Sequence, residues 1–313
     1  VAELEPQPGA ALPFERLAII GIGLIGSSIA QAARRFALAR QVVLFDISAN
    51  VRAEAAALGL GDEIASTFAE GVRGADLVIV CVPVGACGAV AAEIAPHLKD
   101  RAIVSDVGSV KGSVIKSMLE HLPSHARFVP AHPVAGTENS GPAAGFASLF
   151  VNRWCILTPP DGSDAEAVAR LRALWEGMGA NVEIMSADHH DLVLAVTSHL
   201  PHLIAYNIVG TADDLQSVTQ SEVIKFSAGG FRDFTRIAAS DPTMWRDVFL
   251  HNKEAVLEVL ARFNEDLSAL ARAIRWGEGD KLFDLFSRTR TIRRGIVSQG
   301  QETPEPDFGR RKL

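Results

Sequence analysis

Between residues 16 and 185, short apolar runs alternate with stretches of helical period. The runs fall at 17–21, 42–46, 77–82, 102–106, 127–131, 154–158 and 181–185. The run at 77–82 is apolar throughout, as a parallel strand buried on both faces requires. Helical period fills 24–36 and 164–178. This alternation predicts an α/β Rossmann-type doubly wound sheet with right-handed crossovers. After residue 185 the period turns helical and stays so from 188 to 276. Amphipathic stretches at 255–274 and 280–297 follow, the second with a basic end at Arg288, Arg290, Arg293 and Arg294. The expected organisation is a sheet domain over 1–185, an all-α helical domain over 186–298, and a loosely ordered polar tail over 299–313.

Composition agrees with two domains. At 313 residues the chain is too long for one ordinary core. It is 48% hydrophobic and 21% charged, which is ordinary globular composition. A net charge of −7 argues against a nucleic-acid partner and gives no attraction to an anionic membrane. Cys81, Cys87 and Cys155 form no CxxC pair, which points away from disulfides and structural zinc and toward a reducing cytoplasm. Residues 1–14 hold no basic-then-apolar leader. The longest uncharged run, 77–92, is broken by Pro83, Gly85 and Gly88, so it reads as strand, loop and helix start, not a membrane span. Because the first residue is not Met, we expect a processed or trimmed chain. The long amphipathic helices predict a homodimer through the helical domain, in preference to a self-contained bundle.

The first candidate chemistry is Gly21-Ile22-Gly23-Leu24-Ile25-Gly26, which ends a strand and opens a helix. Gly21 permits the tight turn, Gly23 lets the backbone approach a pyrophosphate, and Gly26 lets helix and strand pack closely. The helix start, with Leu24 and Ile25 in its first turn, offers free N–H groups to phosphates. Asp46 stands 20 positions after Gly26, the spacing of an acid that binds the adenosine ribose diol. Its carboxylate repels a 2′-phosphate, and Ile47, Ser48, Ala49 and Asn50 supply no cation to hold one. NAD is therefore expected over NADP, with Arg52 the one nearby cation working against that preference. Val82 and Pro83 end the next predicted strand and should flank a cofactor ribose. Cys81 reads as a packed strand residue, since no partner base is visible.

Four further segments stand out. They are Asp106-Val107-Gly108-Ser109-Val110-Lys111, His132-Pro133-Val134-Ala135-Gly136-Thr137-Glu138, Ser198-His199-Leu200-Pro201-His202, and the stretch from Gly229 through Arg236 to Trp245-Arg246-Asp247. Singly, each has a plain reading. Ser109 can cap a helix starting near Val110, His132 can be a turn residue, and Arg236 can be a surface charge. Together they resemble the prephenate/arogenate dehydrogenase family of tyrosine biosynthesis, from the glycine loop through Trp245-Arg246-Asp247.

The resemblance implies oxidative decarboxylation with NAD. Hydride leaves C4 of a cyclohexadienyl ring, the hydroxyl proton passes to a base, and CO2 departs as the ring becomes aromatic. It implies His132 as the base and Ser109 as a second hydrogen bond to that hydroxyl. It implies Arg236 on the ring carboxylate, His202 on the pyruvyl or alanyl side chain, and Thr137 and Arg232 in the same pocket. An Arg232–Glu138 ion pair gating the site is a looser expectation, and Arg232 stands where the family often has Lys. His199 is expected to be structural or supporting. The site should lie in the cleft between the two halves. No mutase segment is seen ahead of the sheet domain and the tail is short, so the dehydrogenase core alone is expected. Prephenate or arogenate as substrate stays open.

Other histidines read plainly. Asp188-His189-His190-Asp191 invites a metal, but adjacent helical residues point in different directions, so a solvated helix start is expected and no metal. His97, His121 and His125 read as surface residues. The rival reading is another two-domain NAD(P) dehydrogenase of the β-hydroxyacid type, with a catalytic lysine in the helical half. Lys225 and Lys253 are candidates, but neither sits in that motif. A non-catalytic NAD sensor would have no use for Ser109, His132, His202 and Arg236 together.

Overall fold

The computed structural model describes residues 14–137, 139–215 and 229–298. Glu138, Lys225 and the tail expected at 299–313 lie outside the described residues.

Strands β1 (Phe14–Ile20), β2 (Ala39–Phe45), β3 (Glu63–Ile64), β4 (Leu77–Val80), β5 (Ile103–Asp106) and β6 (Arg127–Phe128) form one sheet in the order β3-β2-β1-β4-β5-β6. Every pairing in it is parallel. The chain builds outward from β1 to β3 and then crosses back to β4. Between β1 and β4 lies the reversal of strand order, where such sheets bind ligands. Two cores cover the faces. Leu17 and Ile19 join one with Ile29 and Ala33 of α1 (Leu24–Arg35), while Ala18 and Ile20 join the other. The second core includes Val90 of α4 (Cys87–Ile94) and Val114 of α5 (Gly112–Leu119). Alternation along β1 thus feeds two apolar layers, which is why the strand is apolar without interruption. Between these elements lie α2 (Ala49–Ala57), capped by Ser48, and α3 (Phe68–Val72), capped by Thr67.

The later strands depart from the expected single sheet. The segment expected at 127–131 splits. Val129 still donates to the Val104 carbonyl, at 2.9 Å, but Pro130 has no N–H to continue the ladder. The chain turns away, and β7 (Ala131–Pro133) pairs antiparallel with β8 (Trp154–Leu157). β8 pairs in parallel with β9 (Asn181–Ile184), giving a separate three-stranded sheet bridged by α6 (Ala165–Gly177). Asp164 caps α6 by accepting from the Ala167 N–H.

Beyond β9 every described element is helical. Helix α7 (Ala187–Leu194) is capped by Ser186 and runs through a π turn (Ala195–His199) into α8 (Leu200–Asp214). Among the described residues, 187–214 is the one stretch long and apolar enough to cross a membrane by length and composition. Three of its buried side chains, His190, Asp191 and His199, are hydrogen-bonded within the protein. Next come α9 (Gly229–Thr235), a 3-10 turn (Arg236–Ala239) and α10 (Pro242–His251), the last capped by Asp241 with Pro242 at its first position. α10 packs on the loop after β4, where a Cβ on Gly85 would stand 2.9 Å from Asp247 Oδ2.

Contacts group the chain into one unit through Val256 and another from Leu257. Helix α11 (Lys253–Trp276) crosses that boundary, and a turn at Gly277, with φ +66°, leads to α12 (Gly279–Ser298). Ile274, Trp276, Phe283 and Phe286 are exposed on these two helices.

Candidate active site

The glycine loop has the stereochemistry its sequence predicts. Gly21 has φ +97°, and a Cβ there would lie 2.4 Å from the Cys81 carbonyl oxygen, which only glycine avoids. A Cβ on Gly26 would lie 2.0 Å from the Gly21 carbonyl oxygen. Around Gly23, by contrast, nothing stands within 4 Å of the Cβ position. Helix α1 starts there with no side-chain cap and no acid in its first turn, so its first N–H groups and positive dipole end await an outside partner. Leu24 and Ile25 are half-buried beneath. Asp46 ties the loop to β2: Oδ2 accepts from the Ile22 N–H and Oδ1 from the Ser48 N–H, both at 2.9 Å. Each carboxylate oxygen keeps a second lone pair for a hydroxyl. Arg52 is committed elsewhere, donating to the carbonyls of Asp46 at 2.7 Å and Ile47 at 3.1 Å. Val82 lies against Gly21 and Pro83 is exposed beside it, forming the facing wall. Open space, bare helix N-terminus and acid together fit the pyrophosphate and ribose of a dinucleotide.

A second constellation gathers around His132, in β7. His132 is buried, and its Nδ1 stands 2.8 Å from His190 Nε2. The far nitrogen of His190, Nδ1, stands 2.8 Å from Asp191 Oδ1. Asp191 in turn accepts from the Lys111 and Gly112 N–H groups, each at 2.8 Å. It therefore caps α5 from another helix, and Ser109 does not have the capping role open to it in sequence. The fully buried Lys111 ammonium donates to Asp106 Oδ2 and to the Ala131 carbonyl at 2.6 Å, pinning the residue before His132. Burial holds the His132 imidazole well below its ordinary pKa, and the neighbouring His190, Lys111 and His199 add to the effect. His132 is thus neutral at working pH. Burial raises the Asp191 carboxyl, but hydrogen bonds from His190, Lys111 and Gly112 outweigh it and leave the group lowered and ionised.

This corrects the expectation for Asp188-His189-His190-Asp191. His189 is exposed, but His190 is fully buried and bonded to His132. The sequence carried a signal, since His190 lies one turn before Leu194 on the buried face of α7. Asn252 was also missed. Its amide donates to the Asp191 carbonyl at 2.9 Å and faces His199 Nδ1 at 3.1 Å. His190 and His199 are nine residues apart, about two and a half turns of ordinary α-helix, which would set them on opposite faces. The π turn carries an extra residue and brings His199 round to the buried side. Burial then pushes His199 down to about 4, with the Ser109 backbone beside it acting the other way.

The remaining predicted residues lie nearby or apart. Ser109 is half-buried in the loop between β5 and α5. His202 stacks on Trp245, ring centroids 3.6 Å apart, and its Nδ1 donates to the Ser198 carbonyl at 2.8 Å, which leaves Nε2 as acceptor. Arg236 lies in the 3-10 turn, which Tyr206 fixes by donating to the Ser240 carbonyl at 2.7 Å. Its charge, after burial, helps keep His202 neutral. Thr137 accepts from the Asn139 N–H at 3.2 Å in the loop after β7. That loop continues over α1, where Ser28 accepts from the Phe146 N–H at 3.1 Å. Arg232 stands apart: its side chain is 79% exposed and pairs with Asp233 at 3.5 Å. Lys253 is exposed and pairs with Glu254 at 3.4 Å, with no place in either constellation. Burial pushes the Cys81 thiol well up, as suits a packed residue.

A sheet in this order, a bare glycine loop at its switch point and a neutral buried imidazole define the class as a dinucleotide-dependent enzyme. Residues 29–184 match the model of the prephenate dehydrogenase nucleotide-binding domain, and residues 186–288 that of the prephenate dehydrogenase dimerization domain. A cyclohexadienyl dehydrogenase from Zymomonas mobilis is 48% identical, over 93% of this chain and 99% of its own length. A prephenate dehydrogenase from Bacillus subtilis is 35% identical, over 90% of this chain and 76% of its own. The crystal structure of prephenate dehydrogenase from A. aeolicus, in complex with hydroxyphenyl propionate and NAD+, matches with a TM-score of 0.84 at 33% identity, covering 90% of this chain and 98% of that one. The chain belongs to the prephenate dehydrogenase family.

Proposed function

We propose that the chain catalyses the NAD-dependent oxidative decarboxylation of prephenate, arogenate or both, as a step of tyrosine biosynthesis. The observation that carries this reading is the buried His132, neutral and hydrogen-bonded through Nδ1, which supports a base with Nε2 facing the substrate. The dinucleotide, when bound, accepts the hydride. The Gly21–Gly26 loop would hold its pyrophosphate, Asp46 its ribose diol, and Val82 and Pro83 would flank a further ribose. His132 Nε2 takes the C4 hydroxyl proton as hydride leaves C4 and a C4 carbonyl forms. The bond from C1 to its carboxylate then breaks, CO2 departs, and its electron pair enters the ring. The C4 oxygen, now phenolate, takes the proton back from His132. No net proton is consumed, and aromatisation drives the step.

Ser109 adds a hydrogen bond to the hydroxyl. Arg236 binds the ring carboxylate as a planar fork, His202 Nε2 meets the side chain of the substrate, and Thr137 completes the pocket, while Arg232, exposed and paired with Asp233, is left out of it. Residues 1–185 form the NAD-binding part, and 186–298 the part that binds substrate and pairs two subunits. Exposed Ile274, Trp276, Phe283 and Phe286 support a homodimer. The reading involves no nucleic acid and no membrane, and a cytoplasmic enzyme suits the free, buried thiols of Cys87 and Cys155. Purified protein should reduce NAD with prephenate or arogenate, read as the absorbance of the reduced nicotinamide. No turnover with either substrate overturns the reading.

A further inference from the structure

We propose that His190 and Asp191 are positioning residues that, through a chain of hydrogen bonds, hold His132 in the one tautomer able to act as a base. The proposal rests on the reading of His132 as that base.

The direction of each bond follows from its end. Asp191 is held ionised, so it can only accept, and it accepts three times: from the Lys111 N–H, the Gly112 N–H and His190 Nδ1. His190 therefore carries its hydrogen on Nδ1, and its Nε2 is a lone pair. That lone pair faces His132 Nδ1 at 2.8 Å, so the hydrogen between them belongs to His132. His132 is left with an N–H at Nδ1 and a lone pair at Nε2. The opposite tautomer would set two lone pairs against each other in a buried site, at a cost of a lost hydrogen bond and an unsatisfied polar group.

The same chain spreads charge during turnover. When Nε2 takes the hydroxyl proton, the Nδ1–H of His132 remains bonded to His190 Nε2. That proton can shift toward His190, which then carries an N–H on each nitrogen beside the Asp191 carboxylate. When the phenolate oxygen reclaims its proton, both shifts reverse and the chain is restored. The other charged groups facing the corner are Lys111 and Asp106, which pair with each other, while His199 is held by Asn252. Asp191 is thus the group whose charge answers the imidazolium. It is also fixed in place by a helix N-terminus, so it does not reorganise as the charge develops.

Two measurements test this. In protein labelled with 15N-histidine, His132 should show a protonated Nδ1 and an unprotonated Nε2 at neutral pH, its signals identified by their loss in His132→Gln. This readout needs no turnover. His190→Leu should mix the tautomers, lower kcat about 100-fold and leave KM within about threefold, because a misassigned tautomer costs catalysis more than binding. His190→Gln, which returns an acceptor near the Nε2 position but cannot relay a proton, should restore the tautomer and part of kcat. If His190→Leu does not fold, His190→Gln and Asp191→Asn carry the same test. An unchanged tautomer in His190→Leu or Asp191→Asn, or an unchanged kcat and pH–rate profile in all three variants, overturns the relay alone. Retained turnover in His132→Gln overturns the base reading beneath it.

Discussion

The cofactor loop and the His132 corner are built by opposite means. The loop comes from one window, residues 14–46, and leaves groups open: bare N–H groups at the start of α1 and empty space over Gly23. The corner draws on β5, the α5 N-terminus, β7, α7 and Asn252, and its groups are bonded to one another. The difference follows what each must do. Where a ligand will supply hydrogen-bond partners, the protein leaves its own groups unsatisfied. Where a side chain must keep one protonation state, the protein bonds the nitrogen that does not react, as His190 bonds His132 Nδ1.

That contrast can be broken at either end. The largest effect should come from His132→Gln, with kcat falling about 1000-fold, within the range of general-base losses, while NAD affinity by calorimetry changes less than about twofold. A matching loss of NAD affinity would mean the two regions are one. Acid should come next. His132, His190, His199 and His202 all have lowered pKa values, with burial the main cause in each. Their neutral forms belong to the fold, so this stability is complete above the unfolded value of about 6.5 and is lost as pH falls below it. For His199, held at about 4, the loss by pH 4 is about 3 kcal/mol. Denaturant unfolding at pH 7, 5.5 and 4.5 should show the decline; a flat profile would mean these imidazoles are not neutral in the fold. The smallest effect belongs to Asp46→Ala, which should weaken NAD about tenfold and narrow its preference over NADP, as expected for losing hydrogen bonds to a charged group. An unaltered preference removes the ribose role.

The first of these regions was legible in the sequence and the second only in part, for a physical reason. Strand, glycine turn, helix and acid are fixed by local period and by what a Cβ would strike, so Gly21, Gly26 and Asp46 announce themselves by spacing. Ser109, His132, His202 and Arg236 were found through family resemblance, since no local rule singles them out. Adjacency sets His189 and His190 about 100° apart on α7, which argues against a shared ligand but leaves either one free to face inward, as His190 does. Lys111 and Asn252 have no linear signature at all: their value comes from Asp106, Ala131 and Asp191, which only the fold brings near. The departure of β7 into a second sheet was equally hidden, because a proline within an apolar run does not say where the chain goes next.

The π turn at Ala195–His199 has a consequence for how this helix can vary in length. Deleting one residue there would relax the turn to ordinary helix and keep everything beyond it in phase, whereas deleting one from the ordinary helix ahead of it, with the π turn kept, would rotate everything beyond by about 100°. His202 would leave Trp245 and Tyr206 would leave Ser240 in a single event, with no side chain altered. The π turn is thus a place where this helix can lose a residue without a change of phase. Any shortening between His190 and His202 is therefore expected within Ala195–His199 and not in the turns on either side.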